Sequence, residues 1–336
     1  MRVTINDVAK KAGVSKTTVS RILNGNFTQM TEETKQRVLN VIKELDYRPN
    51  ALARGLKSMR TNVIAIVLSN LKNPFWVNVL EGVEDTCRKL NYQLMICNTN
   101  EDSQLERAHI EALRMRQVDG IIVNPTVDNH EFFSKLAESS FPFVMINRRL
   151  EGIRANHIVM DNRLGGRLVT EHFLKLGRHK IAVFVYRAKG VSTWSDRVAG
   201  YKEALLAHGF SETDFRIVEV EQGSGCAKEA AILYCRARDR PDAIFSTNNM
   251  MTLEIMEGIQ ELGLNIPGQI ALIGYDETVW SRHMVPPLTT VSQPAYEMGK
   301  LATERLIKLI NSKRRPKPQT VTLHPHLIIR QSCGAT

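Results

Sequence analysis

Lys16, Thr17 and Arg21 lie close together near the N-terminus and carry the donor groups and methyl surface that read base edges in DNA. Lys and Arg can donate to guanine, and Thr can touch a thymine methyl or a base edge. Thr18, Ser20 and Asn24 add hydroxyls and an amide suited to phosphates, which fix register without reading sequence. A second set of polar groups stands far along the chain at the ends of apolar runs. Asp276 closes IALIGYD and Asn248 closes AIFSTN. If those runs are parallel strands, polar side chains at their carboxyl ends face a ligand crevice. Asn248 can both donate and accept there, and Phe75 or Trp76 can stack on the apolar face of a sugar.

The first set needs a helix to present it. Thr4-Ile5-Asn6-Asp7 reads as a capping box, after which Val8, Ala9 and Ala12 share one helical face. Gly13 suits a C-terminal cap and Ser15 an N-cap. A second helix from Lys16 to Asn24 turns Val19, Ile22 and Leu23 inward, and a third, opening near Thr31, buries Val38, Ile42 and Leu45. Two short helices around a tight Gly turn, braced by a third, make a helix-turn-helix head. The second helix then enters the major groove by its N-terminal end. Charge agrees: residues 1–60 hold twelve Lys and Arg against five Asp and Glu, so +7 of the chain's net +10 sits in this segment. A compact basic module on a near-neutral body points to a polyanion partner.

The segment YRPNALARGLK (47–57) follows. Asn50 can cap a short helix kept slim by Ala51, Ala53 and Gly55, from which Leu56 can wedge into a minor groove. The same stretch also reads as a linker that lacks structure without DNA, and folding on binding reconciles the two.

The run VTINDVAKKAGVSKTTVSRILNG followed by YRPNALARGLK closely resembles the head and hinge of the lactose-repressor/galactose-repressor (LacI/GalR) family of transcription regulators. The resemblance implies a dimer of heads on a pseudo-palindromic double-stranded DNA operator, with Lys16, Thr17 and Arg21 reading bases. It also implies paired hinge helices in the central minor groove, where Leu56 is the lever beside Asn50 and Ala53.

From Val63 onward short apolar runs alternate with amphipathic stretches. Strand candidates are 63–69, 92–98, 120–125, 143–147, 157–161, 180–186, 215–220, 243–248, 270–276 and 288–293, with a final extended stretch near 319–329. Helices fit between most of them: one begins at Asn73-Pro74, one spans Leu164 to Leu176, and the last spans Tyr296 to about Ile310. This alternation means parallel sheets covered on both faces, and so many strands divide better between two Rossmann-like subdomains. The signatures NPFW (73–76), VDGIIV (118–123), DNRLGGRLVTEHFLKLGRHKIA from Asp161, DRVAGY (196–201), IGYDE (273–277) and PPLTTVSQP (286–294) resemble the type I periplasmic-binding-protein fold, the family's effector core. The expected fold is therefore an all-α helix-turn-helix head plus an α/β core of two Rossmann-like subdomains. Its expected divisions are a head at 1–48, a hinge at 49–61 and a core at 62–336. The core's N-lobe takes 62–160 and 292–321 and its C-lobe 161–291 and 322–332, with crossings near Asp161, Val291 and Thr322.

What the resemblance implies for the cleft is an effector held by Phe75, Trp76, Arg148, Arg197, Asn248, Asp276 and Gln293. Asp276 accepts from hydroxyls, and the Arg197 fork suits a carboxylate or vicinal hydroxyls. The family often has Asp where this chain has Asn147, and Asn-Asp where it has Asn248-Asn249. Both changes remove negative charge. With Arg148, Arg149 and Arg197 they favour a carboxylated effector, a sugar acid rather than a neutral sugar. Within VEVEQGSGC (218–226), either Gln222 stands where the family often sets an aromatic over the ligand, or that position is lost. Lobe closure shifts the population between states that differ in operator affinity.

Other classes fit poorly. Asp276, His179 and Ser195 invite an enzymatic reading, but no nucleophile elbow, P-loop or metal-ligand spacing accompanies them. Gly165-Gly166 lacks the G-x-G-x-x-G pattern, and His157, His172 and His179 are scattered, so neither cofactor nor metal is expected. A plain sugar-binding protein would carry a secretory signal and no basic head. The N-terminus has no apolar core of a signal, no run is long enough to span a bilayer, and five cysteines without C-x-x-C suggest reduced thiols and the cytoplasm. Only six residues follow Arg330, with no heptads for a tetramerising helix, so a homodimer is expected.

Overall fold

A computed structural model describes residues 3–23, 25–27, 30–47, 60–187, 190–314 and 316–335. It divides into two compact units, Met1–Thr61 and Asn62–Thr336.

In the first unit, α1 (Ile5–Ala12), α2 (Lys16–Leu23) and α3 (Glu32–Glu44) form the expected trihelical head. The capping box is present: the Thr4 amide donates to Asp7 Oδ2 at 2.8 Å, and the Asp7 amide donates to Thr4 Oγ1 at 3.4 Å. Gly13 ends α1 in the left-handed region at φ +64°, which glycine adopts without steric cost. The Ser15 hydroxyl then accepts from the Thr18 amide at 3.1 Å and starts α2. Val8, Ala9, Ala12, Val19, Ile22, Val38 and Val41 form the core. Leu23, Ile42 and Leu45 pack only partly buried around it, and Val41 takes the inner place expected of Ile42. Asn24, Asn50, Ala53, Leu56 and most of the hinge lie outside the described residues.

The second unit contains two six-stranded sheets. In chain order the strands of the first are β1 (Val63–Leu68), β2 (Gln93–Asn98), β3 (Gly120–Val123), β4 (Phe143–Asn147), β5 (Asn156–Met160) and β11 (Thr320–Leu323), arranged β11-β5-β4-β3-β1-β2. Those of the second are β6 (Ile181–Tyr186), β7 (Arg216–Val220), β8 (Ala243–Ser246), β9 (Ala271–Tyr275), β10 (Thr289–Ser292) and β12 (His326–Ile328), arranged β12-β10-β9-β8-β6-β7. The pairs are parallel except β10 with β12. Apolar residues fill both faces of each sheet, which is why the strands read as nearly unbroken apolar runs.

Two expected crossings between lobes shift. Val291 pairs with Tyr275 and Leu327 inside the second sheet, so the chain leaves that lobe only after Ser292. The stretch near 319–329 is two strands in different sheets, and the chain crosses at 324–325 rather than at Thr322. Pro325 accounts for the break, since it has no amide to continue a ladder.

Helices cover both sheets. The ones that matter for the cleft are α4 (Phe75–Lys89), α5 (Ser103–Met115), α6 (His130–Glu138), α7 (Asn162–Lys175), α8 (Ser192–Ala207), α9 (Cys226–Arg236), α10 (Asn249–Glu261) and α11 (Ala295–Asn311). Helix α7 meets α8 at a glycine contact. A Cβ on Gly166 would lie 2.0 Å from the Arg197 carbonyl oxygen, and one on Gly200 would lie 1.9 Å from that of Arg163. Gly166 and Gly200 therefore serve close backbone packing, which sets where α8 carries Arg197, while Gly165 makes room for the Tyr275 ring, whose Oη would lie 2.2 Å from an added Cβ.

Candidate ligand cleft and nucleic-acid interface

On α2, Lys16, Thr17 and Arg21 are exposed, with Val19 and Ile22 buried on the opposite face. Thr18 and Ser20 are half-buried. The Thr18 hydroxyl lies 2.9 Å from that of Ser15, so within the head it already serves the helix start. The short helix thus presents its N-terminal polar side chains outward, which is what a groove-reading helix requires.

In the core, a cleft of about 440 Å³ brings Phe75, Trp76, Arg148, Arg197, Asn248, Asp276 and Gln293 onto one wall system, drawn from both lobes. That volume is in the range of small-molecule sites. Phe75 and Trp76 open α4 and meet edge-to-face, their ring centroids 5.0 Å apart. Both are largely buried in the N-lobe core, so each offers the cleft a ring edge or a fraction of a face. Two further aromatics, Tyr186 and Trp194, line the other side, their centroids 5.5 Å apart. Nothing in the local sequence marked them as cleft residues. Gln222, Gly223 and Ser224 also line it, so Gln222 does face the cleft, where it supplies an amide and no ring.

Asp276 is the centre of the polar network. It follows β9 in a left-handed conformation, φ +72°, which is costly for a residue with a Cβ and tends to be kept where geometry serves a site. Its carboxylate accepts from Gln293 Nε2 and, at 3.5 Å, from Asn73 Nδ2. Asn73 in turn accepts from Asn249 Nδ2 at 2.8 Å, so it ties the N-lobe to two C-lobe residues. Burial pushes the Asp276 carboxyl above its ordinary value, against the pull of the Arg197 charge. Gln293 Oε1 is buried without a hydrogen-bond partner, and so is Arg148 Nε. Unpaired buried polar atoms are costly and mark positions that a ligand or water completes.

The arginines are more committed than their sequence positions suggest. Arg148 forks onto Glu101, with Nη1–Oε2 2.6 Å and Nη2–Oε1 2.7 Å. Arg149 bonds Asp196 at 2.7 Å. Arg197 donates from Nε to Asn162 Oδ1 at 2.9 Å and from Nη1 to the Thr247 carbonyl at 2.5 Å, and its guanidinium lies 3.5 Å from the Tyr275 ring centroid. Nε is thereby spent, and the second hydrogen of Nη1 and both of Nη2 are outside these two bonds. Asn248 is also half spent: its Oδ1 caps α10 by accepting from the Met250 and Met251 amides, so it can offer the cleft its amide donors but not its acceptor.

Arg149 and Asp196 belong to different lobes, and Ser192 Oγ accepts from the Arg149 amide at 3.0 Å beside them. The pair is half open to water on the arginine side, so it contributes little, about 1 kcal/mol or less. Arg149→Ala should therefore weaken effector binding by no more than about fivefold in isothermal titration. A much larger loss would mean that this bridge, not the ligand, holds the lobes together.

Residues 4–50 match the pattern of bacterial regulatory proteins, lacI family, and residues 170–333 match that of a periplasmic binding protein-like domain. The HTH-type transcriptional regulator KdgR of Bacillus subtilis (strain 168) is 32% identical over 330 residues, covering 98% of this chain and 97% of its own. The chain belongs to the lacI family. It is an HTH-type transcription regulator that binds operator DNA, and its family is one of regulators rather than enzymes. Among solved structures, the lac repressor dimer bound to operator and the anti-inducer ONPF superposes with a TM-score of 0.88 at 24% identity, each chain covered in full. A complex of the transcriptional regulator CelR with cellobiose matches with a TM-score of 0.72 at 28% identity, over 98% of this chain and 100% of that one. Among the described residues no helix is long and apolar enough to cross a membrane.

Proposed function

We propose that this lacI-family regulator is a cytoplasmic homodimeric repressor of carbohydrate-use genes, whose operator affinity is set by a small carbohydrate held in the interlobe cleft. The observation that carries this reading is the convergence of seven polar and aromatic side chains from both lobes on one cavity, with two buried polar atoms there unpaired. Rings and bonded polar groups in alternation suit a molecule with apolar faces and a hydroxyl rim. The CelR structure with cellobiose, on the same fold, supports it. A second copy of the chain is supported by the lac repressor dimer and by exposed Val77 on α4 and exposed Ile96 on the edge strand β2.

On DNA, Lys16, Thr17 and Arg21 read bases while Thr18, Ser20 and Asn24 hold phosphates. Asn50, Ala53 and Leu56 of the hinge occupy the minor groove, an assignment that rests on the family resemblance alone. Selection of bound genomic fragments by the purified protein tests the reading. A shared palindrome is expected, with affinity falling steeply as salt rises. Arg21→Ala should lower affinity for the selected site about 10- to 100-fold and relax preference at one base pair of each half-site. Equal loss on every sequence would instead place Arg21 on the phosphate backbone.

A further inference from the structure

The cleft walls carry three cations, Lys72, Arg148 and Arg197, and three carboxylates, Glu101, Glu254 and Asp276. The formal charges balance, but their placement leaves one cation over. Glu101 is held by the Arg148 fork. Glu254 accepts from the backbone amides of Gly225 and Ala227 at 3.1 and 2.9 Å, where the positive end of α9 compensates it. Asp276 is held by Gln293 and Asn73 and lies in the field of Arg197. Arg197 itself is bonded to Asn162 and Thr247.

Lys72 differs from all of these. Among the described residues that line the cleft, it is the one cation whose charged group has neither an ion pair nor a hydrogen bond. Its backbone is fixed, because the Lys72 amide donates to Asn70 Oδ1 at 2.9 Å, so the side chain starts from a set position at the cleft edge. Asn70 and Asn73 from the same segment, with Asn124 and Asn147, also line the cleft and add neutral amides to its wall. Lys72 is exposed at the cleft lining, and an ammonium there with no anion of its own can take one negative charge from the ligand.

We propose that Lys72 reads a single carboxylate on the effector, so that the regulator answers to monocarboxylated sugars, aldonates or uronates, in preference to the neutral sugars of the same skeleton. This rests on the reading of the cleft as a carbohydrate site. It also moves the basis for an acidic effector away from Arg148 and Arg149, whose charges are paired with Glu101 and Asp196, and from Arg197, whose Nε and Nη1 already donate to Asn162 and Thr247. Asp276 and Gln293 take the hydroxyl end and Lys72 the acid end.

The test is isothermal titration of the full-length protein with matched pairs, gluconate against glucose and galacturonate against galactose, in wild type, Lys72→Gln and Lys72→Arg. The expected result is that at least one acid binds more tightly than its neutral partner. In Lys72→Gln that acid should lose about 10- to 100-fold in affinity, as expected for a charge-assisted hydrogen bond, while Lys72→Arg keeps it within about fivefold. Preference for the neutral partner in wild type, or equal losses for acid and neutral sugar in Lys72→Gln, would overturn the role of Lys72 and leave the carbohydrate cleft standing. Failure of every acid and neutral sugar to bind, in protein that still retains its operator, would reject the carbohydrate reading and the proposal with it.

Discussion

Replacing Asp276 by Ala should abolish the response of the operator complex to effector, with effector affinity reduced about 100-fold or more. Asp276 is a buried carboxylate at the cleft, placed to accept hydroxyls, and loss of a charged hydrogen-bond partner costs about 1.5–3 kcal/mol per bond. The substitution also releases Gln293 Nε2 and Asn73 Nδ2 and leaves the Arg197 charge without its nearest opposing field. Titration of operator complexes with effector reads the loss, and a thermal melt of the same sample separates it from unfolding. The pH dependence has a definite sign. Because burial raises the Asp276 carboxyl, the folded state holds this proton more tightly than the unfolded chain does. Its contribution to stability is then fullest below the ordinary value of 3.8 and is lost as pH rises through the raised folded value. Effector affinity runs the opposite way. It should fall as pH drops through that raised value, since the protonated acid is the poorer acceptor, and Asp276→Asn should flatten that dependence.

Replacing Gly200 by Ala should destabilise the C-lobe by about 3 kcal/mol, the upper part of the range for overpacking. The added Cβ would sit 1.9 Å from the Arg163 carbonyl oxygen, which is backbone and cannot swing aside. Helix α8 would have to move off α7. Arg197 lies one helical turn before Gly200, so its bonds to Asn162 and Thr247 should loosen at the same time. Denaturant unfolding should show the loss, together with weaker effector binding. Gly268→Ala is the control: its site is exposed, and the nearest atom to a new Cβ is 3.9 Å away. It should change stability by no more than about 0.5 kcal/mol. If Gly200→Ala were as mild as the control, the glycine contact would not be what positions α8.

The head was legible from sequence because its signals are local. Thr4 with Asp7, Gly13 and Ser15 each act within three or four residues, and the helical spacing of Val8, Ala9 and Ala12 needs no distant partner. The strands were legible because burial on both faces leaves apolar runs. The crossings were harder, since 320–323 and 326–328 form one extended stretch in sequence and only their different partners divide them. The cleft was legible in part through the family resemblance, which supplied Arg148, Arg197 and Gln293. Their state of charge was not legible. Arg148 is answered by Glu101, 47 positions away, and no spacing rule connects them. Lys72, Tyr186 and Trp194 reach the cleft from three segments that only the folded lobes bring together.

The most direct test of the account is reciprocal coupling between the cleft and the operator. Operator affinity of the full-length protein would be measured with and without a saturating sugar from the matched pairs, and affinity for that sugar with and without operator. The account predicts that both change by the same factor, in the range of about 5- to 150-fold typical of allosteric coupling. A sugar that binds the cleft yet leaves operator affinity unchanged would contradict it.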